Sequence, residues 1–150
     1  MWQEETAGEQ GHQAEDEGMR TWGKKNKYNA QKAESVIYKE LAGRRFDSKL
    51  ERDRAEDLVL LQRGKEIRKL EFQSMVYLTD ARISYRADFF YEERIAPRKF
   101  RKVWEDAKGF ESTRWNMIKK LWAFYGPGLL RVTMRGRGGR IGTVKEIIPK

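Results

Sequence analysis

Apolar and polar positions alternate along this chain with two different periods. Between Asp47 and Lys65 the chain reads DSKLERDRAEDLVLLQRGK. Leu50, Leu58 and Leu61 share one helical stripe, Ser48 is a candidate N-cap and Gly64 suits the C-terminal cap, so a helix is expected over 47–65. Upstream, SVIYKELAGRRF (35–46) begins β-rich and turns at Gly43, the pattern of a short hairpin. Three strand candidates follow: KLEFQSMVYL (69–78, open to a break), SYRADFFY (84–91) and FRKVWEDAK (100–108). EERIAPRK, with Pro97, separates the last two, which are expected to pair as a hairpin.

A second helix is expected over 113–125, capped by Ser112 or Thr113 and ended by Gly126-Pro127-Gly128. Trp115, Met117, Ile118, Leu121, Trp122, Phe124 and Tyr125 cover roughly half its circumference at about 100° per residue. Trp115 and Trp122 are assigned to the core. LLRVTM (129–134) reads as a strand, and RGRGGR (135–140) leads into IGTVKEII (141–148). The order of helix, strands, helix, strand predicts an α/β or α+β fold, and no internal repeat is present. A chain of 150 residues suits one domain with a modest core.

Composition narrows the chemistry. There is no cysteine, which excludes disulfides, thiolate zinc sites and cysteine nucleophiles. The one histidine, His12, lies in an N-terminal stretch (1–22) whose polar, acidic, glycine-containing sequence predicts a disordered arm. Carboxylates, lysines and any metal they hold remain as reactive groups. No apolar run approaches the roughly 20 residues of a membrane span. The N-terminus is acidic where a signal peptide would be basic and then apolar, so an intracellular, cytoplasmic protein is expected.

The net charge of +9 is unevenly spread. Residues 1–20 hold six acids and one base, while the other 130 carry 31 Lys+Arg against 17 Asp+Glu. A domain this basic over 23–150 points to a polyanion partner, because phosphate contacts release counterions; a solubilising surface is the plainer alternative. WGKKNKYNAQK (22–32) interleaves Lys24, Lys25 and Lys27 with Trp22 and Tyr28, suiting either phosphate and base contact or an ordinary linker. RGRGGR lacks dinucleotide-binding spacing and precedes a strand. It suits a glycine-rich hairpin turn, and its Arg135, Arg137 and Arg140 also suit backbone or minor-groove contact with DNA.

The segment WEDAKGF (104–110) places three charges in a strand. Alternation puts Asp106 and Lys108 on one face, about 7 Å apart, and Glu105 on the other, where it is expected to be an outward-facing surface residue. On the preceding strand Arg86, Asp88 and Phe90 share a face, with Tyr85, Ala87, Phe89 and Tyr91 opposite. In a suitable register Asp88 joins Asp106 and Lys108. Two converging carboxylates repel unless a cation lies between them, and hard oxygen ligands suit Mg²⁺. An exposed Asp106–Lys108 ion pair on an edge strand is the alternative. Glu51 closes an S-x-x-E capping box with Ser48, its carboxylate returning to the cap's N–H.

YRADFFY followed by WEDAKGF resembles the signature of the PD-(D/E)XK nuclease superfamily, with 17 residues between Asp88 and Asp106. With KYNAQK (27–32), RRFDSKLER (44–52) and the helix near Thr113, the chain resembles over roughly 27–134 the phage endonuclease-I-like nucleases, related in fold to Holliday-junction resolvases. Two positions depart from the pattern: Ala87 replaces the proline that names the motif, and Asp106 stands where glutamate is commoner. The resemblance implies a restriction-endonuclease-like core, a mixed central β-sheet flanked by helices. It implies Asp88 and Asp106 as metal ligands, the Ala107 carbonyl as a further ligand, Lys108 as the motif lysine and Glu51 as the helical glutamate of the site. Glu51 therefore has two readings, ligand and cap. Arg114 either faces the site and binds phosphate or lies on the surface.

The function expected is a Mg²⁺-dependent DNA endonuclease, with Mn²⁺ able to substitute, acting on branched DNA in phage recombination or processing and, by resemblance, working as a homodimer. A non-cleaving nucleic-acid-binding module on the same fold and a basic viral assembly protein are the competing classes.

Overall fold

The computed structural model describes residues 33–35, 37–108 and 111–150. The acidic arm, the basic segment with Lys24, Lys25 and Lys27, and Gly109 lie outside the described residues. A two-residue strand β1 (Ala33–Glu34) pairs antiparallel with β2 (Arg45–Phe46), joined through a 3-10 turn at Lys39–Leu41. The hairpin expected over 35–46 is thus a wider loop, with Gly43 at φ 72 in its return. Helix α1 spans Lys49–Arg63. The strands β3 (Ile67–Tyr77), β4 (Ser84–Ala96) and β5 (Lys99–Ala107) follow, then α2 (Thr113–Tyr125), β6 (Leu129–Arg135) and β7 (Ile141–Ile147).

The five long strands form one sheet in the order β3-β4-β5-β6-β7. All neighbours are antiparallel except β5 and β6, which run parallel because α2 carries the chain back between them. The architecture is mixed α+β.

Adjacent strand residues feed two cores. Val103 and Leu129 pack with Leu41, Phe46, Ala55, Leu58, Val59, Phe89 and Tyr91 beneath α1. Trp104 and Leu130, one residue on, pack with Trp115, Ile118, Trp122 and Val132 beneath α2. The helices therefore cover opposite faces of the sheet. Trp115, Ile118 and Trp122 form the buried stripe of α2, while Met117, Phe124 and Tyr125 are exposed, so the covered arc is narrower than the apolar one. Trp122 is fully buried and donates its indole N–H to the Gly128 carbonyl at 2.8 Å. Truncating it to Ala would cost about 3–5 kcal/mol.

The second helix begins at its expected cap, with the Ser112 hydroxyl accepting the Trp115 N–H at 3.2 Å. The β4–β5 hairpin is longer than expected. EERIA belongs to β4, and the turn narrows to Pro97-Arg98. Its charges tolerate the sheet because they are paired: Glu92 holds Arg68 and Lys69, and Glu93 holds Arg101 and Arg131. Among the described residues no helix is long and apolar enough to cross a membrane.

Candidate active site

The sheet forks at two aspartates. The β4–β5 ladder pairs Phe90 with Trp104 and Phe89 with Glu105, then stops. One step further that register sets Asp88 against Asp106. Beyond this point β5 continues against β6, pairing Asp106 with Val132 and Ala107 with Thr133, while β4 continues against β3. The Asp88 carboxylate fills the opening by accepting the Ala107 main-chain N–H at 2.9 Å. A side chain here satisfies a buried strand donor that the departing partner leaves free.

Asp106 is 1% exposed. Its Oδ2 atom takes an ion pair from the Lys108 ammonium at 2.5 Å and a hydrogen bond from the Tyr85 hydroxyl. Its Oδ1 atom is buried without a partner. Lys108 in turn lies over the Trp115 ring, 5.0 Å from its centroid, on the side covered by α2. The structure thus brings Asp88, Asp106, Lys108 and the Ala107 main chain together.

Glu51 stands close by in a different role. Its N–H donates to the Ser48 hydroxyl at 3.1 Å, the expected cap. Its carboxylate accepts the Asp47 N–H at 3.1 Å, one residue before the cap rather than at the cap itself, and the Gln73 amide at 2.9 Å. Both oxygens are therefore engaged within the protein.

The electrostatics are those of crowded anions. Burial above all, then the charges of Asp106 and Glu51 and a side-chain hydrogen bond with Asp106, pushes the Asp88 carboxyl well above the usual carboxylate range against the opposing Ala107 N–H. A protonated Asp88 can share its proton with Asp106. Burial also raises Glu51; the Asp47 N–H opposes this, and the Asp47 and Asp106 charges add to it. Burial and then the Asp106 charge push the Tyr85 phenol upward, so it stays a donor.

A pocket of about 250 Å³ opens beside the fork, lined by Tyr85, Arg86, Lys108, Ser112 and Arg114. Arg114 is exposed and lines this pocket. Three cations without an acidic lining residue make the pocket suited to an anion.

Among the described residues no group of three or more acidic or histidine side chains forms a metal cage. Asp88 and the unpartnered Asp106 Oδ1 supply two hard oxygens, which suits Mg²⁺ held by one or two carboxylates with water and substrate completing its shell. Glu51 would join only by releasing Asp47 or Gln73.

The remaining predicted contacts are distributed differently. Arg135 is bonded to Asp53 at 2.5 Å and to the Gly139 carbonyl at 2.9 Å, bracing the β6–β7 turn against α1. Arg137 and Arg140 are exposed on that turn, where Gly138 and Gly139 take φ of 81 and 80.

Glu105 corrects its expected surface position. It is 0% exposed and lies under α1, held by the Arg54 guanidinium at 2.5 and 3.1 Å, the Tyr91 hydroxyl at 2.5 Å and the Thr133 hydroxyl at 3.0 Å. Alternation placed it on the correct face, but that face is an interior with its own cation.

Tyr85, Arg86 and Gln73 were not singled out as site residues. Tyr85 falls on the wrong face by strict alternation. The change of face coincides with Gln73, which has φ 56 and lies across from Asp88, between the pairs Phe72–Phe89 and Ser74–Ala87. A left-handed non-glycine residue within a strand costs of order 1 kcal/mol or more, and such residues cluster at functional sites. No protein-family model, curated protein or solved structure matches this chain.

Proposed function

We propose that this protein is a metal-dependent DNA endonuclease with a restriction-endonuclease-like core. The observation that carries the reading is the fork itself. Two aspartates converge there, one bearing a buried, unpartnered oxygen, with a lysine on the same carboxylate and a cationic pocket alongside.

Asp88, Asp106 and the Ala107 carbonyl would hold Mg²⁺ or Mn²⁺. When bound, the ion would neutralise charge on a scissile phosphate and acidify an attacking water. Arg86 and Arg114 orient the phosphate in the adjoining pocket. Lys108 faces the negative charge that accumulates on the phosphoryl oxygens in the transition state. Hydrolysis forms a bond from the water oxygen to phosphorus, breaks the bond to the leaving sugar oxygen, and returns a proton to that oxygen. Tyr85 fixes the Asp106 carboxylate through Oδ2, and Oδ1 is left buried without a partner.

Branched DNA is the proposed substrate and a homodimer the proposed working form, in phage recombination or processing, because two nicks resolve a junction. The test is Mg²⁺-dependent cleavage of a four-way junction compared with a linear duplex of the same sequence. Junction-selective cleavage supports the reading. Equal cleavage of both removes the branched preference, and none of either removes the enzyme.

A second reading, a DNA-binding module that does not cleave, is favoured by the engagement of both Glu51 oxygens. It predicts salt-sensitive binding without cleavage. A basic assembly protein predicts neither.

A further inference from the structure

A second cationic pocket lies at the other end of the same strands. Lys65, Arg68, Lys69, Arg94 and Phe100, with Gln62 and Ile67, line a cavity of about 320 Å³. Arg94 pairs with Phe100, and Glu92 with Lys102, in the β4–β5 register. Gln62 and Ile67 place the cavity where the C-terminal end of α1 meets the edge of the sheet. Arg94 stands six positions along the strand from Asp88, which is about 20 Å.

The convergence of cations is built by the backbone. Consecutive strand residues normally point to opposite faces. Here Arg68 and Lys69 both reach the Glu92 carboxylate, at 2.6 and 2.9 Å. The exception coincides with a register shift between Arg68 and Glu71 and with φ 56 at Lys69. Lys65, four residues earlier, is also left-handed at φ 62. Lys65 takes this conformation at the C-terminal turn of α1, where its N–H donates to the Gln62 carbonyl and the Glu66 N–H to the Leu61 carbonyl. Lys69 takes it within a strand, where the surrounding structure must impose it. The Arg68 guanidinium is further fixed 3.8 Å from the Phe100 ring centroid.

One carboxylate, Glu92, thus serves Arg68 and Lys69, while Lys65 and Arg94 make no ion pair among the described residues. The turn beside them adds Arg98 and Lys99.

We propose that this pocket is a second phosphate-binding site for nucleic acid, engaging the backbone of a duplex arm about 20 Å from the fork. It contacts phosphate rather than base edges, because its charged groups are all cations and it offers little that could read a base edge. The inference is independent of whether the fork cleaves.

The test is binding of a fluorescently labelled linear duplex in EDTA, measured by anisotropy over about 50–200 mM salt. The double variant Lys65→Gln, Arg94→Gln should bind about tenfold more weakly at intermediate salt. Its log–log salt slope should be about 2 units shallower, one for each lost phosphate contact. Arg45→Gln, at an exposed arginine paired with Glu34 elsewhere on the surface, should leave both quantities unchanged. Circular dichroism melting should show all three proteins equally folded. Parental affinity and slope in the double variant overturn the proposal, as does an equal loss in Arg45→Gln. Displacement of the duplex from the parent, but not from the double variant, by polyglutamate at lower charge concentration than by unlabelled duplex also overturns it, assigning the pocket to an acidic protein. If cleavage is present, the double variant should retain its maximal rate at saturating DNA, which separates this site from the fork.

Discussion

Arg54 reaches from α1 across the sheet face to Glu105, placing Nε 2.5 Å and Nη2 3.1 Å from the two carboxylate oxygens. The pair lies on the face opposite the Asp106–Lys108 pair, although Glu105 and Asp106 are neighbours in sequence. One strand therefore supports a structural ion pair beneath one helix and the candidate reactive pair beneath the other.

Removing Glu105 leaves Arg54 without its main partner and takes an acceptor from Tyr91 and Thr133. Glu105→Ala should destabilise the fold by about 3–5 kcal/mol. Glu105→Gln should cost less, because the amide oxygen still accepts. Urea denaturation with both variants checks the order.

Asp88→Asn should have opposite effects on stability and activity. It keeps the acceptor for the Ala107 N–H and removes one of several crowded carboxylates. In metal-free buffer near neutral pH the variant should be more stable than the parent by about 1 kcal/mol, while cleavage is lost. Thermal melting in EDTA is the measurement, and an unchanged or lower midpoint would show that the anions are not in conflict.

Lys108→Met keeps the packing of the stem on Trp115 and deletes the ammonium. Cleavage should fall about 100-fold or more at saturating DNA, with duplex affinity in EDTA within about threefold of the parent. Loss of affinity alone would make Lys108 a binding residue.

Glu93 supplies a pH-dependent contribution away from the fork. Burial, the largest single influence, pushes its carboxyl up, but the Arg131 and Arg101 hydrogen bonds and charges outweigh it and hold the group below the usual range. A depressed carboxyl stabilises the fold above its unfolded-state pKa and loses that stabilisation as pH falls through the folded value. Glu93→Gln should therefore cost about 1–2 kcal/mol at pH 7 and little once the pH is below the folded value. Denaturation of both proteins at neutral and acidic pH reads the difference.

Much of this architecture is legible in the sequence where local signals agree. Ser112, Gly126 and the Trp115–Ile118–Trp122 spacing define α2 at both ends, and alternation separates Asp106 from Glu105. The errors arise where a tertiary partner reverses a local rule. Glu105 resembles a surface residue until Arg54, 51 positions away, neutralises it. EERIA resembles a loop until Arg68, Lys69 and Arg131 pair its glutamates. Tyr85 joins Asp106 against strict alternation, beside a left-handed Gln73 that no side-chain pattern announces.

The most direct measurement compares the parent, Asp88→Asn and Asp106→Asn for Mg²⁺-dependent cleavage of a four-way junction, with junction affinity determined in parallel in EDTA. The account predicts cleavage by the parent, at least a 1,000-fold (about 4 kcal/mol) loss in each variant, and affinity equal to or tighter than the parent's. Cleavage by both variants at the parental rate would contradict the assignment of the fork as the active site.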